Sequence, residues 1–448
     1  MVAHAGTRLL LALFGCLLVA CAAPGPSEST KPTVAEAPHD SNRPNVVIFM
    51  VDTLRADAVT WGGTTRPTTP KLESWAKHGA IFDQATTPAG WTRSAVASLF
   101  TGMYPAAHGV QDQAHVLPSS LLTLAEVFGA NGYNTQAFVS NFAIAPQFGT
   151  DQGFQNFRFF DRRRDVSMRI DPKIGYVPIF FMDPEVKAYF QSPPVEPFFA
   201  YVHTTDPHQP YRPPVEYLLW GQQNRDRYDG EVRFSDDFIA GWIETLRSSG
   251  KLENTIVVFT ADHGEEFKEH GGQGHGHTVF EEIVRIPLVI VGPGVKAARH
   301  SEQVSLLDLG PTLLQLAGLT APTEFGTQGR SFASLLSGGG NPKEWNDAYH
   351  ELIYPTKGIA FAYRDQSWKL VSIAQDSYGR KEQSLLFDLA TDPTEQNDLS
   401  QREPGRLKSM KERLKQVRTR QLQAATPSQA VPLDPDAEDR LRTLGYVK

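Results

Sequence analysis

Residues 45–52 read NVVIFMVD, six apolar side chains in the first seven positions and an abrupt stop at Asp52. A run this short, rich in Val, Ile and Phe, is the pattern of a strand buried on both faces. Four further runs repeat the plan. TQAFV (135–139) ends at Ser140 and Asn141, and FFAYV (198–202) ends at His203 and continues to Asp206 and His208. TIVVFT (255–260) ends at Asp262 and His263, and IPLVIV (286–291) ends at Gly292. Helical patterns fall between them, over 119–131, 233–248 and 306–319. Strands alternating with helices imply an α/β fold, a mostly parallel central sheet with helices on both sides. Sites in such sheets lie beyond the carboxyl ends of the strands. That rule gathers Asp52, Asn141, His208, Asp262 and His263 on one rim, although they are distant in sequence.

The rest of the chain divides by composition. Arg8 precedes an apolar stretch, 9–20, too short for a comfortable membrane span, which reads as a signal peptide over residues 1–20. Leu18, Val19 and Ala20 precede Cys21, the pattern of a bacterial lipoprotein cleavage site. Export and a lipid anchor at Cys21, to the cell membrane or outer membrane, are therefore expected; ordinary cleavage that leaves Cys21 a free thiol is the alternative. The only cysteines are Cys16 and Cys21, so no disulfide is expected in the mature domain. Residues 21–43 are rich in Pro, Ser and charge and read as a flexible tether. A catalytic domain is expected over 44–330. A C-terminal subdomain is expected over 331–448, with short strands at 368–373 and 385–389 and a helix at 403–424, giving a small antiparallel sheet plus helix. The formal net charge of -7 argues against a nucleic-acid partner.

Asp52, Asp262 and His263 are candidate ligands for one divalent metal ion, since oxygen donors with a single imidazole suit Ca, Mg, Mn or Zn. Thr92 precedes RSAVASLFTG, a helix-compatible run. A Thr there is ordinarily an N-cap. It is also where free amides and the helix dipole stabilise an anion, and where a hydroxyl beside a metal becomes a nucleophile.

At this point the chain resembles the sulfatase family, within the alkaline phosphatase superfamily. NVVIFMVDTLRAD (45–57) is similar to the family's opening strand and first metal Asp, and SLFTGMYPAAHGV (98–110) to the stretch after its nucleophile. HTTDPHQPYRPP (203–214) resembles the substrate-histidine segment, and TADHGEEFKEHGGQGHGHTVFEEIVRIPLVI (260–290) the second metal segment. LFDLATDPTEQNDL (386–399) and RLRTLGYV (440–447) resemble the C-terminal subdomain. The resemblance implies a metal site of Asp52, Thr92, Asp262 and His263, with His208, His275 and His277 assisting the substrate anion or leaving group. The alternative for GHGH (274–277) is a glycine-loosened loop. Arg55, Arg93 and Asn141 are candidate substrate contacts, although either arginine could simply sit in an ion pair.

The departures from the family pattern decide the chemistry expected. The nucleophile position holds Thr92 within Thr92, Arg93, Ser94, Ala95, Val96, without the Pro and Arg of the C/S-x-P-x-R motif, so no formylglycine is expected. Superfamily relatives that transfer phosphoryl groups use a metal-bound Thr directly. Thr53 stands where many sulfatases carry a second Asp, and His263 where many carry Asn, which favours Mn or Zn, with Ca possible by family. Ser140 and Asn141 replace a cationic Lys and His. The expectation is hydrolysis of phosphate mono- or diesters, or phosphonate esters, through Thr92. Alternatives are sulfate ester hydrolysis, a phospho-substituent transferase acting on envelope glycan or lipid, and a non-catalytic binding protein. The loop 151–195, with Arg158 and Arg162 to Arg164, is a candidate polyanion face or an ordinary solvated one.

Overall fold

The computed structural model describes residues 39–446, except 166–173, 194, 327, 340–346, 355–356 and 377–380. The expected signal peptide, lipidation site and most of the tether lie outside the described residues. Described contacts begin five residues before the expected domain start: His39 Nδ1 bonds the Gly132 carbonyl, and Arg43 donates to that of Asn131.

Ten strands lie in the first three hundred or so residues: β1 (Asn45–Val51), β2 (Ala80–Thr86), β3 (Asn134–Val139), β4 (Asn156–Phe159), β5 (Phe198–Thr204), β6 (Thr255–Ala261), β7 (Glu266–Phe267), β8 (Gln273–Gly274), β9 (Leu288–Val291) and β10 (Ala298–Ser305). Eight of them form one sheet in the order β10-β2-β9-β6-β1-β5-β3-β4. β1 lies at its centre, pairing in parallel with β5 and β6, and all seven of its residues are buried. Helices cover both faces. Phe49 of β1 packs on Phe190 and Trp242 from the helices Ile179–Gln191 and Asn224–Ser248. On the other face Phe100, from the helix Thr92–Thr101, meets Tyr201 of β5 edge-on at 5.0 Å.

Two elements differ from the sequence expectation for identifiable reasons. β2 and β10 pair with each other at one edge of the sheet. The sequence of β10, ARHSEQVS, has the polar character of a half-exposed edge, so no apolar run announced it. The helix expected over 119–131 begins only at Leu124. Thr123 caps it there in a reciprocal capping box with Glu126, which fixes the start.

The C-terminal part contains β11 (Ala348–Tyr354), β12 (Gly358–Arg364), β13 (Trp368–Asp376) and β14 (Gln383–Asp388), an antiparallel sheet in that order. One face is covered by Met410, Leu414 and Val417 of the helix Pro404–Gln423, against Phe361, Leu370 and Leu386. Residues of the other face, including Leu352, Tyr354 and Ile373, pack with Trp91, Phe280 and Ile283 of the main body. This second face therefore forms part of the wall beside Thr92. No helix among the described residues is long and apolar enough to cross a membrane.

Candidate active site

Asp52 follows β1 and Asp262 and His263 follow β6, the adjacent strand, so neighbouring strand ends deliver all three to one point. All three are fully buried, and one ligand atom from each lies within 4.8 Å of the others. Each carboxylate is oriented by fixed donors. Asp262 Oδ1 accepts the backbone N–H groups of Thr53 and His263, at 3.1 and 2.8 Å, leaving Oδ2 without a hydrogen-bond partner. Thr53 adopts φ 55°, the left-handed region that costs a β-branched residue strain, and this turn aims its N–H at Asp262. Asp52 Oδ2 accepts from the Asn141 amide. His263 Nδ1 bonds the Gly264 carbonyl at 2.9 Å, which leaves Nε2 facing inward, 3.8 Å from Asp52 and 3.5 Å from Asp262.

Two buried carboxylates side by side repel each other. Burial, and then the charge of Asp262, push the Asp52 carboxyl well above its usual range. Such a site favours a divalent cation: two carboxylates and one imidazole aimed inward, with one oxygen lacking any other partner.

Thr92 is the first residue of its helix, and the capping position belongs to Trp91 in extended conformation. The N-cap reading of Thr92 is thus corrected. Its hydroxyl instead turns into the metal pocket, 3.2 Å from His263 Nε2 and 3.5 Å from Asp52 Oδ1. The free first-turn amides of a ten-residue, wholly buried helix stand behind it.

Around this centre the structure sorts the remaining candidates. His208 bonds the Gln209 carbonyl through Nδ1 at 2.7 Å, and its Nε2 has no partner. His275 lies edge-on to it, ring centres 5.0 Å apart, and 4.5 Å from His263. Its Nδ1 meets Glu265 at 3.0 Å while its Nε2 is unpartnered. Burial lowers His208 to about 4 and drives His275 well below the ordinary imidazole value. Burial also raises Glu265 to about 8, so this pair holds its proton without net charge.

Four candidates have protein partners. His277 bonds Glu266 at 2.7 Å, and the same carboxylate ties down the Gly272 and His270 amides. Arg55 is held by Asp57, Glu269 and the Glu265 carbonyl. Arg93 is buried on the ring of Phe148 and donates to the carbonyls of Ala143, Gln113 and His115. Asn141 directs its amide to Asp52 and takes the Ala143 N–H on its oxygen, which makes it an orienting group for the metal carboxylate. In the loop 151–195, Arg158 pairs with Asp165 and Glu185, and Arg163 with Asp436. Those arginines bridge elements of the fold.

Three groups escaped the sequence reading. His203, at the end of β5, has both ring nitrogens unpartnered and lies 3.9 Å from each metal carboxylate. Lys357 follows β11, with Nζ 3.4 Å from the His275 carbonyl and 5.5 Å from the ring of Tyr446. It restores a cation near the histidines, where Ser140 and Asn141 had removed the expected one. Tyr446, two positions before the last residue of the sequence, places its hydroxyl 2.5 Å from Thr92 Oγ. The strand of His203 was legible; Lys357 and Tyr446 come from the C-terminal subdomain, where no strand-end rule points.

Comparison with known proteins points to one family. Residues 44–319 match the Sulfatase family, and residues 269–421 match the C-terminal region of N-sulphoglucosamine sulphohydrolase. An ulvan-active sulfatase of Formosa agariphila is 26% identical over 412 residues, covering 82% of this chain and 79% of the relative. A Delta 4,5-hexuronate-2-O-sulfatase of Bacteroides thetaiotaomicron is 24% identical, covering 90% of this chain and 94% of the relative. Among solved structures, the phosphonate monoester hydrolase of Agrobacterium radiobacter superposes with a TM-score of 0.68 at 20% identity, covering 88% of this chain and 99% of that one.

Proposed function

The chain belongs to the sulfatase family of metal-dependent hydrolases, and we propose that it cleaves phosphate mono- or diesters, or phosphonate esters, with Thr92 as nucleophile. The observation that carries the reading is the Thr92 hydroxyl, which leaves its helix uncapped and faces Asp52 and His263. The likeness to a phosphonate monoester hydrolase fits it. Asp52, Asp262 and His263 would hold the divalent ion, with Mn or Zn favoured by the imidazole and by Thr53 in place of a second Asp. That ion would supply Lewis acidity to the attacking and ester oxygens.

The chain's own groups supply the rest. Thr92 Oγ, its proton given to solvent, attacks phosphorus. The ester P–O bond breaks, and the departing oxygen takes a proton from His275 Nε2 while Glu265 passes its own to Nδ1. Water then attacks phosphorus, the bond to Thr92 breaks and Thr92 Oγ takes a proton back from solvent, while His275 Nε2 accepts the water's proton and Nδ1 returns its own to Glu265. His208 Nε2 would meet the substrate anion, with the Lys357 cation beside the His275 carbonyl adding positive charge nearby.

The relatives named as sulfatases support a second reading, sulfate ester hydrolysis at the same residues. A panel of nitrophenyl phosphate, phosphonate and sulfate esters with added Mn, Zn or Ca separates the two. The proposal expects phosphorus esters to turn over faster; turnover of sulfate esters alone would reject it. We also propose export and a lipid anchor at Cys21, supported by the apolar stretch 9–20 and Leu18–Val19–Ala20 before it. Mass spectrometry of the purified N-terminus tests this, and an unmodified soluble N-terminus would contradict it.

A further inference from the structure

The hydroxyl closest to Thr92 belongs to the end of the chain. Tyr446 is 1% exposed and sits deeper than the short tail that carries it would require. Four contacts hold it. Gly445, at φ 75°, turns the chain after the helix Pro435–Thr443. Tyr354 then donates its hydroxyl to the Tyr446 carbonyl at 2.6 Å. The ring lies among Trp91, His208 and His275, with centres 6.2, 6.3 and 5.7 Å away. The phenolic oxygen meets Thr92 Oγ at 2.5 Å.

A buried tyrosine needs a hydrogen-bond partner for its hydroxyl, but it does not need the nucleophile for that purpose. Thr92 Oγ also lies 3.5 Å from Asp52 Oδ1, to which it donates, and that leaves its lone pairs to the Tyr446 O–H.

Resting on the reading of Thr92 as nucleophile, we propose that Tyr446 is a positioning residue for the reaction: its hydroxyl donates to Thr92 Oγ and fixes the direction of that oxygen's attack. No bond to Tyr446 forms or breaks. The same donor stands by the Thr92 oxygen when it attacks and when it leaves, so it assists both halves of the reaction. The C-terminal subdomain thereby completes a site whose remaining parts lie on the main sheet.

Tyr446→Phe tests this, because it keeps the ring and removes only the hydroxyl. Removal of one preorganised donor to a charge-developing oxygen lowers kcat by roughly a hundredfold. That loss is expected for 4-nitrophenyl phosphate or phosphonate with the metal-loaded full chain, with KM, bound metal and Tm unchanged. Rapid quench is expected to show slower formation and slower breakdown of any Thr92 adduct. Wild-type or higher kcat in Tyr446→Phe would overturn the proposal, the latter marking the tail as an inhibitory plug. Loss of kcat matched by loss of bound metal or of Tm would also overturn it, because the role would then be structural. Tyr354→Phe, which frees the tail but keeps the phenol, is expected to lose kcat several-fold and serves if the first variant fails to fold; no change in Tyr354→Phe would then count against the proposal. Thr92→Ala separates the two claims. Full activity there removes the nucleophile reading and this proposal together; an inactive Thr92→Ala beside a fully active Tyr446→Phe removes only this one.

Discussion

Two clusters of buried charge stand on opposite sides of the segment 262–282, and they are built differently. At the strand ends Asp52 and Asp262 face each other among imidazoles, hydroxyls and amides, with no lysine or arginine paired to either among the described residues. Against the C-terminal sheet, Glu281 meets Arg364 at 2.7 Å and Lys369 at 2.9 Å, Lys369 meets Glu395 at 3.0 Å, and His270 meets Glu282 at 2.7 Å. Burial is near complete in both. In the second cluster protein cations answer the carboxylates, and despite burial Arg364 and Lys369 hold the Glu281 carboxyl far below its usual range. In the first, a bound divalent ion would answer them. Buried carboxylates therefore do different work in the two: the paired cluster fastens the subdomain, and the unpaired one is the candidate site.

The largest effect should come from the unpaired cluster. Thr92→Ala is expected to lower kcat/KM by at least about ten-thousandfold, as loss of a covalent nucleophile does, with metal content and Tm unchanged by equilibrium metal assay and calorimetry. Retained activity would return Thr92 to a structural role.

In the paired cluster the expected effect is on stability. Glu281→Gln leaves Arg364 and Lys369 facing too little negative charge, at a cost of about 3–5 kcal/mol, measured by denaturant unfolding. A change below the measurement error would mean that the cluster is not a fastening.

The sharpest contrast is Asp262→Asn. An Asn oxygen can still accept the Thr53 and His263 amides, while one of two facing charges disappears. The metal-free chain should gain about 1–2 kcal/mol, because the substitution relieves an uncompensated buried charge, and metal binding should be lost. A loss of stability comparable to that of Glu281→Gln would erase the distinction between the clusters.

A smaller effect concerns neutral histidines outside both clusters. Burial lowers His108 and His350 to about 3. Both are neutral in the folded and unfolded chain above pH 6.5, so they contribute no pH dependence there. Below 6.5 the unfolded chain takes up protons that the folded chain refuses until about pH 3. Stability is then lost as pH falls through that window, by up to about 1.4 kcal/mol per pH unit for each histidine. His108→Gln should reduce that slope by one proton's worth in a Tm-against-pH series; an unchanged slope would show that His108 titrates normally.

Much of this was legible in the sequence because it depended on the chain's strongest signals. The apolar runs of β1, β5 and β6 end in Asp52, His203 and Asp262, and a parallel sheet must bring those ends together. The edge strand β10 was illegible, since half-exposed polar strands carry no apolar run. Arg55 and Arg93 read as anion clamps because a sequence shows charge without its partners; the carboxylates of Asp57 and Glu269 and the carbonyls around Arg93 become visible only in three dimensions. Tyr446 was quoted as part of a C-terminal motif, yet nothing in its spacing says that the chain's end returns to Thr92.

The most direct test of the central claim is mass spectrometry of metal-loaded protein, acid-quenched during turnover of a phosphate or phosphonate ester. A phosphorus adduct is expected on the peptide containing Thr92, and none in Thr92→Ala. Steady turnover with an adduct on another residue, or with none in the millisecond phase before steady state, would contradict it.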